Sequence, residues 1–489
     1  MRRDTLLGDG AWLVFHNVGH LLRYISAVPL LLLVVIVAYR EWHMISPVLG
    51  MSAAMFVAGQ LLVLLPARRD PRLREGLTIA AFGWLFVPLG SIILFWLGEG
   101  WRPLDAYFEA MSAWTGTGVT LANTAALSHT SLMWRSLMQW VGGLGVIVLT
   151  LAVLARPGTA SFTLYAGESR EDKLRPSVVS TVRTLWRLYA ALTVAGILVL
   201  LLAGLPVWDA INHAMTGIGT AGMSTQSGGI GDYDSLAVEL ALLPIMIVGS
   251  MPFVATYALL RGRVKRFWRD EQVVAGLVVL GVAVPLVAWL ITAQFEGVTW
   301  ARAARDGLFQ AVSIATTTGF QTADLSLWDA RTKIYLVGLM LIGGAAGSTA
   351  GGLKLVRAVL LFKGALWKLR RSGLPYFAVT TFPFSGDRLS DTEANEEFAE
   401  ASFILVLWAA ALFIGLLVFL SVLPAGVWRF EDVLFEVASL QNNNGVSVGI
   451  VNIGLPNSAK IAGMALMWAG RLEILPVLLL LRGLVPRLR

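Results

Sequence analysis

The sequence predicts an all-α polytopic membrane protein, and three observations support this fold class. The 489 residues are 56% hydrophobic and only 14% charged, and their mean hydropathy is +0.71, well above that of soluble domains. Apolar stretches long enough to cross a bilayer recur along the chain. A short glycine-centred segment occurs four times between such stretches. Together they predict four helix/pore-loop/helix repeats in a pseudo-fourfold arrangement around one pore, plus two extra N-terminal spans.

Ten apolar stretches have spanning length, although the first resembles the core of a signal peptide. We interpret it as a retained span, because no clear small-residue cleavage site follows it. The spans are predicted at 25–39, 46–66, 77–98, 132–155, 185–207, 236–260, 273–295, 333–362, 401–424 and 459–481. The last eight bracket the glycine segments in pairs. This predicts an N-terminal unit, 1–75, and four repeats, 76–155, 156–265, 266–372 and 373–489.

The four glycine segments share one spacing, because each central glycine follows an aspartate by thirteen residues. The aspartate and glycine pairs are Asp105 and Gly118, Asp209 and Gly222, Asp306 and Gly319, and Asp432 and Gly445. The stretch between them is mostly apolar but too short to span a bilayer as a helix. We therefore predict re-entrant half-helices that start with an aspartate cap and end in a glycine-rich loop.

Four such loops around one axis have the chemistry of a cation filter. The C-terminal end of a helix is partially negative, and glycine allows backbone conformations that aim successive carbonyl oxygens at one point. A ring of carbonyls can replace the water around a potassium ion. For one segment alone, a tight turn or a small-residue helix contact is the competing interpretation. The matched spacing of all four favours the filter.

The basic residues predict the orientation in the membrane. Most of the 38 lysines and arginines fall between spans on the side away from the glycine segments. The positive-inside rule makes that side cytoplasmic, so both termini are predicted to be cytoplasmic and the loops to open outward. Because topology explains the net charge of +7, we expect no nucleic-acid partner. Two cytoplasmic stretches, 156–183 and 363–400, are equally compatible with solvated linkers and with docking surfaces.

The second span of the third repeat contains a glycine-rich interruption, LIGGAAGSTAGGLKLVR. A broken membrane helix usually lines a cavity in which its freed backbone groups can be satisfied. We predict an intramembrane gate here, formed by Gly343, Gly344, Gly347, Gly351, Gly352 and Lys354. The alternative for Lys354 is a side chain that snorkels to the cytoplasmic surface.

Charged residues also occur in the last span. Arg471 is predicted to project into the pore as an electrostatic barrier or to face a carboxylate on a neighbouring helix. Glu473, two residues on, is the one intramembrane carboxylate that stands out as a relay for ion coupling.

No enzyme motif is present, so no catalysis and no cofactor is predicted for this chain. The G-x-G-x-x-G in GIGTAG follows a membrane half-helix and lacks the context of a dinucleotide site. His16 and His20 have helix-face spacing but no third metal ligand, and the chain has no cysteine.

These motifs together resemble a known family. The four pore-loop repeats, QWVGGLGVIVL, GGAAGSTAGGLKLVR and GRLEILP are similar to the TrkH branch of the Trk/Ktr/HKT potassium transporter superfamily, over nearly the whole chain. The resemblance implies potassium as the transported ligand, a bacterial inner-membrane location, a homodimer, and a cytoplasmic TrkA-type nucleotide-binding ring as regulator. It leaves a sodium-conducting or weakly selective relative, and a scaffold or receptor with a vestigial pore, as the alternatives.

The resemblance also implies which residues bind the ion. The four glycines and the two residues before each are the expected ion-coordinating positions: Gly116, Thr117, Gly118; Thr220, Ala221, Gly222; Thr317, Thr318, Gly319; and Asn443, Asn444, Gly445. In this superfamily a serine at the first filter glycine accompanies sodium transport, so Gly118 favours potassium. Ala221, Met223 and the sequence NNNGVS depart from the usual pattern and bear on fine selectivity.

Overall fold

The computed structural model describes residues 9–67, 69, 71–154, 178–375, 380–384, 387–474, 476–478 and 480. Most of the predicted cytoplasmic stretch 156–183 and the basic ends of the chain lie outside these residues. The described chain is mostly helical, as predicted, with one short antiparallel ribbon, β1 (Phe382–Phe384) and β2 (Asp387–Leu389), that the sequence did not reveal.

The N-terminal unit contains three helices, α1 (Asp9–Ile25), α2 (Leu32–Tyr39) and α3 (Ile45–Val63). A 3₁₀ turn joins α1 to α2, so that Gly10–Tyr39 forms one candidate span of 30 residues. The predicted start at residue 25 is therefore wrong. Gly19 and Gly59 allow α1 and α3 to approach closely, because a Cβ on Gly19 would lie 2.7 Å from the Gly59 carbonyl oxygen.

The rest of the chain repeats the order of helix, half-helix and helix four times. The first repeat contains α4 (Leu73–Glu99), α5 (Pro103–Trp114) and α6 (His129–Leu154). The second contains α7 (Val178–Leu202), α8 (Val207–Ile218), α9 (Leu236–Ser250), α10 (Phe253–Leu260) and α11 (Val264–Arg269). The third contains α12 (Glu271–Gln294), α13 (Trp300–Ala315), α14 (Ala330–Ile342) and α15 (Leu355–Arg371). The fourth contains α16 (Asp391–Val422), α17 (Phe430–Gln441) and α18 (Asn457–Arg471).

The half-helices α5, α8 and α17 have 12 residues each and α13 has 16, so none is long enough to span a bilayer. The shared spacing places Asp105, Asp209 and Asp432 in the first helical turn rather than at the cap. Asp306 lies further in, because α13 begins earlier, after the cap Thr299. The predicted aspartate caps are therefore wrong, although an acid in the first turn still complements the helix dipole in three repeats.

Among the described residues six helices are long and apolar enough to cross a membrane, and a seventh candidate is the pair α9 and α10. That pair is bent by 114°, so the predicted continuous span 236–260 is wrong. Pro252 explains the break, because it has no N–H and forces Met251 into an extended conformation. The predicted span 459–481 is also interrupted after α18, where Glu473 and Ile474 have positive φ.

Candidate functional site

The four glycine segments meet in a closed ring. Each central glycine packs against the carbonyl oxygen of the residue before the glycine in the next segment, and a Cβ at the glycine would overlap that oxygen. The contacts are Gly118 with Ala221, Gly222 with Thr318, Gly319 with Asn444, and Gly445 with Thr117. The fourth contact returns to the first segment, so the structure brings together all twelve residues that the sequence predicted.

The four segments also share one backbone conformation. Each central glycine has a positive φ, between +67° and +93°. The residue two positions earlier is left-handed as well, with φ of 67° at Gly116, 45° at Thr220, 54° at Thr317 and 50° at Asn443. Three of these four residues carry side chains, so they hold an unfavourable conformation that the surrounding hydrogen bonds must stabilise.

Those hydrogen bonds come from the end of each half-helix. The N–H of the residue before each glycine donates to a carbonyl five residues back, at 2.8–3.0 Å in all four segments. The accepting residues are Ser112, Thr216, Ser313 and Ser439. Sequence reasoning missed this serine or threonine six positions before every glycine, although an alignment of the four repeats would have shown it. The negative ends of the four half-helices thus lead directly into the ring.

A second set of residues that sequence reasoning missed supports the ring through buried hydrogen bonds. Nine positions before the glycines lie Glu109, His213, Gln310 and Glu436, all fully buried. Glu109 accepts hydrogen bonds from Thr120 Oγ1 at 2.7 Å and from the Leu121 N–H at 3.0 Å. Glu436 likewise accepts from the Ser447 hydroxyl at 2.6 Å, whereas Gln310 Nε2 donates to Thr322 Oγ1 at 3.1 Å. His213 Nε2 is hydrogen-bonded to the Ser224 hydroxyl at 3.0 Å. Each half-helix therefore fixes the chain that leaves its own glycine.

Side chains also join neighbouring segments. Gln139 of α6 donates to the Ala221 carbonyl at 2.7 Å and accepts from the Met223 N–H at 3.1 Å. Gln321 makes the same pair of bonds to Ser447, at 3.0 and 3.3 Å. The Ala221 carbonyl oxygen therefore accepts a hydrogen bond from the protein. The resemblance led us to expect an oxygen that coordinates only the ion, so Ala221 differs from that expectation.

The glycine-rich interruption between α14 and α15 lies directly against the ring. The Gly351 N–H donates to Thr317 Oγ1 at 2.7 Å, and the hydroxyls of Thr220 and Thr349 are 2.9 Å apart. A Cβ on Gly351 would lie 3.0 Å from the Asn443 Cβ. This segment, residues 343–354, is called the interrupting loop below. It contacts three of the four left-handed residues of the ring.

Arg471 contacts the fourth. Its Nη2 lies 3.4 Å from the position of a Cβ on Gly116. Nη1 donates to the Thr349 carbonyl at 2.9 Å, and Nη2 donates to the Gly142 carbonyl at 3.1 Å. Within the described residues the guanidinium is buried without a carboxylate partner, so the alternative of a facing carboxylate is not what the structure shows.

Lys354 is also buried, at 3% exposure, and its Nζ donates to the Ala350 carbonyl inside the interrupting loop. It does not snorkel to a surface. Arg357, three residues further along the chain, forms an ion pair with Glu473 at 2.5 Å. This ion pair connects the end of the loop to the break after α18. Glu473 is thus held by a cation, rather than standing free as an isolated carboxylate.

Ion pairs connect successive repeats at three of the four junctions around the ring. In each ion pair, a residue of the second helix of one repeat contacts the half-helix of the next repeat. The pairs are Glu239 with Arg305, Lys333 with Asp432, and Lys460 with Asp105. The first and second repeats are joined instead by a hydrogen bond from Ser136 to Asn212, at 2.7 Å. Two of the four repeat-marking aspartates therefore hold the assembly of repeats together.

The fold and this ring define a class: a multi-pass helical membrane protein whose four re-entrant half-helices converge on one ring of backbone carbonyls. Comparison with known proteins gives the family. A family model named TrkH and described as "Cation transport protein" matches residues 48–487. The chain belongs to the TrkH family.

Individual relatives agree with this assignment. An uncharacterised cation transporter of Methanocaldococcus jannaschii is 33% identical, over 96% of this chain and 94% of the relative. The Trk system potassium uptake protein TrkH of Salmonella typhimurium is 33% identical, over 85% of this chain and 87% of the relative. The crystal structure of the potassium transporter TrkH from Vibrio parahaemolyticus superposes with a TM-score of 0.85 at 27% identity, covering 98% of this chain and 99% of that one.

Proposed function

We propose that the chain takes up potassium through a gated, channel-like pore whose selectivity filter is the ring of four glycine segments. The observation that carries this proposal is the closure of the ring, in which every central glycine packs on a carbonyl of the next segment. The ring side chains are uncharged, so cation binding there depends on backbone and side-chain oxygens and on the negative ends of the half-helices. Relatives named as potassium uptake proteins support the choice of ion.

The interrupting loop and Arg471 are the proposed gate. Together they contact all four left-handed residues of the ring, so an ion that leaves the ring on this side meets the loop backbone and a buried guanidinium. A fixed positive charge at this depth raises the energy of a nearby cation. Flux therefore requires the loop to move, and Arg471 serves as the electrostatic part of the barrier.

The remaining features of the proposal follow the family and the charge pattern. The protein lies in the bacterial inner membrane with both termini cytoplasmic, as the positive-inside rule predicts. It acts as a homodimer under a TrkA-type nucleotide-binding ring, which would supply nucleotide-dependent control. The repeat boundaries predicted at 76, 156, 266 and 373 are proposed from the glycine segments and the pairs of spans that bracket them.

A sodium-conducting or weakly selective relative is the second candidate. This function is favoured by Ala221, whose carbonyl oxygen also accepts a hydrogen bond from Gln139. A ring whose oxygens are not equivalent discriminates less sharply between potassium and sodium. The relative from Methanocaldococcus jannaschii is named only a cation transporter. Against it, Gly118 retains the glycine expected of potassium transporters.

Flux measurements in vesicles separate these functions. Purified protein in liposomes should pass potassium much faster than sodium, and substitution of Gly222 should abolish the flux. Equal sodium and potassium flux would overturn the proposed substrate. Absence of any cation flux, in protein that remains folded, would favour a scaffold or receptor with a vestigial pore.

A further inference from the structure

The helix of the second repeat that is broken between α9 and α10 is hydrogen-bonded to the interrupting loop of the third repeat. The break leaves the carbonyls of Gly249 and Ser250 without helical partners. Ala345 N–H donates to the Ser250 carbonyl at 2.9 Å, and the Thr349 hydroxyl donates to the Gly249 carbonyl at 2.9 Å. The loop thus caps the end of α9.

The loop binds the start of α10 as well. The first N–H of that helix, on Phe253, donates to the Gly347 carbonyl at 3.1 Å. If the loop moves, these groups lose their partners at membrane depth, where an unpaired backbone group is costly. Movement of the loop is therefore coupled to movement of α10.

A basic segment continues directly from α10. Residues 260–269, LRGRVKRFWR, contain five arginines and lysines and no acid. We name them the basic segment. Backbone hydrogen bonds from Arg261 to the Tyr257 carbonyl and from Arg263 to the Ala258 carbonyl connect it firmly to α10. A force on the basic segment is therefore transmitted to the helix that holds the loop.

The exposed side chains of the basic segment alternate between apolar and cationic. Leu260, Val264 and Trp268 are 63%, 47% and 56% exposed. Lys265 directly after Val264 and Arg269 directly after Trp268 are exposed as well. The next acids along the chain are already engaged: Asp270 caps α12, and Glu271 pairs with Lys363 at 2.8 Å. The surface is thus both positive and apolar.

We propose that the basic segment binds the anionic headgroups of the cytoplasmic leaflet and that this binding biases the position of the interrupting loop. Exposed tryptophan and leucine beside cations are typical of a chain that lies in a membrane interface. In the adjoining span, Glu271–Gln294, protein buries only 28% of the apolar 18-residue stretch, so most of this span is available to lipid. These features favour phospholipid over an acidic protein. The effect on flux and the choice of leaflet rest on the proposed function, whereas binding to anionic lipid does not.

Lipid binding is tested on the full chain in nanodiscs with spin-labelled phosphatidylglycerol or phosphatidylcholine. The wild type should immobilise the anionic lipid preferentially. The double variant Lys265→Gln/Arg269→Gln should lose at least tenfold in that preference, because each charge near the surface contributes to binding. The matched control Lys265→Arg/Arg269→Lys, which keeps both charges, should behave as the wild type.

Several results would overturn the lipid site. One is equal preference in the neutral variant and the wild type. Another is release of the labelled lipid by free inorganic phosphate, which would indicate a small-anion site. A third is tight binding of polyglutamate without any preference for phosphatidylglycerol, which would indicate an acidic protein partner.

The coupling is tested by potassium flux in liposomes with and without phosphatidylglycerol. Wild-type flux should change severalfold with anionic lipid, and the neutral variant should not respond. The same lipid response in both proteins would refute the coupling. If no liposome shows flux, the transport proposal fails, while the nanodisc measurement still decides whether the lipid site exists.

Discussion

Substitution of Gly319 by alanine adds one carbon atom where two segments of the ring meet, and so tests how closely the ring is packed. The backbone of Gly319 has φ of +85°, which a residue with a side chain rarely adopts. The added Cβ would overlap the Asn444 carbonyl oxygen and lie 3.0 Å from both the Asn444 carbonyl carbon and the Gly445 Cα. These neighbours are backbone atoms, so they cannot rotate away as a flexible side chain could.

The magnitude follows from two costs. A left-handed conformation costs an alanine about 1–2 kcal/mol. Relief of the overlap requires the neighbouring carbonyl to shift by about 1 Å, and forced repacking of this kind costs about 1–3 kcal/mol. The variant should lose about 2–5 kcal/mol in stability, or the ring should open between the third and fourth segments. In either case potassium flux should fall at least tenfold.

Gly338 supplies the matched control. It lies in α14 of the same repeat, and a Cβ there would meet nothing within 4 Å. Gly338→Ala should keep wild-type flux and gain slightly in stability, because alanine favours the helix by about 1 kcal/mol. Thermal unfolding in detergent and potassium flux in liposomes measure both variants. Equal behaviour of Gly319→Ala and Gly338→Ala would refute the described ring packing.

Three further predictions address the gate, the ion pairs and the N-terminal unit. Arg471→Ala should raise potassium flux severalfold by removing a buried positive charge, and unchanged flux in folded protein would exclude a barrier. Lys460→Met should lower the free energy of unfolding by about 3–5 kcal/mol by leaving Asp105 buried and unpaired, and the double variant Lys460→Met/Asp105→Leu should recover most of that loss. Glu41 accepts four hydrogen bonds from His129 and Thr130 at the start of α6. Although burial favours its protonated form, these bonds hold the pKa of the Glu41 carboxyl below its ordinary value, so its contribution to stability is present at neutral pH and is lost as the pH falls through the lowered pKa. Glu41→Gln should flatten the acid side of the stability profile, and an unchanged profile would contradict this role.

The ring could be predicted from the sequence because its determinants are periodic. Equal spacing from aspartate to glycine, repeated four times between apolar stretches, restricts the segments to equivalent positions. The contacts that hold them could not be predicted in the same way. The bond from Gln139 to Ala221 joins residues 82 positions apart, and only the assembled fold shows that they meet.

The breaks in the membrane helices were harder to predict. The stretch around Pro252 is predominantly apolar, so hydropathy gives one continuous span, and a proline within a membrane helix does not by itself require a sharp bend. The bend is stabilised by Ala345 and Thr349 of another repeat, about a hundred residues away. Likewise, His16 and Asn17 lowered the hydropathy of α1, although their side chains bond to protein carbonyls.

The most direct test of the central claim is the position of a potassium substitute in crystals of this protein. Thallium or rubidium soaked into such crystals should give an anomalous peak inside the ring, bounded by Thr117, Thr318, Asn444 and the Ala221 carbonyl. Gly319→Ala crystals should lack that peak or show it weakened. Strong peaks elsewhere in the wild type, with an empty ring, would contradict the assignment of the four glycine segments as the ion-binding filter.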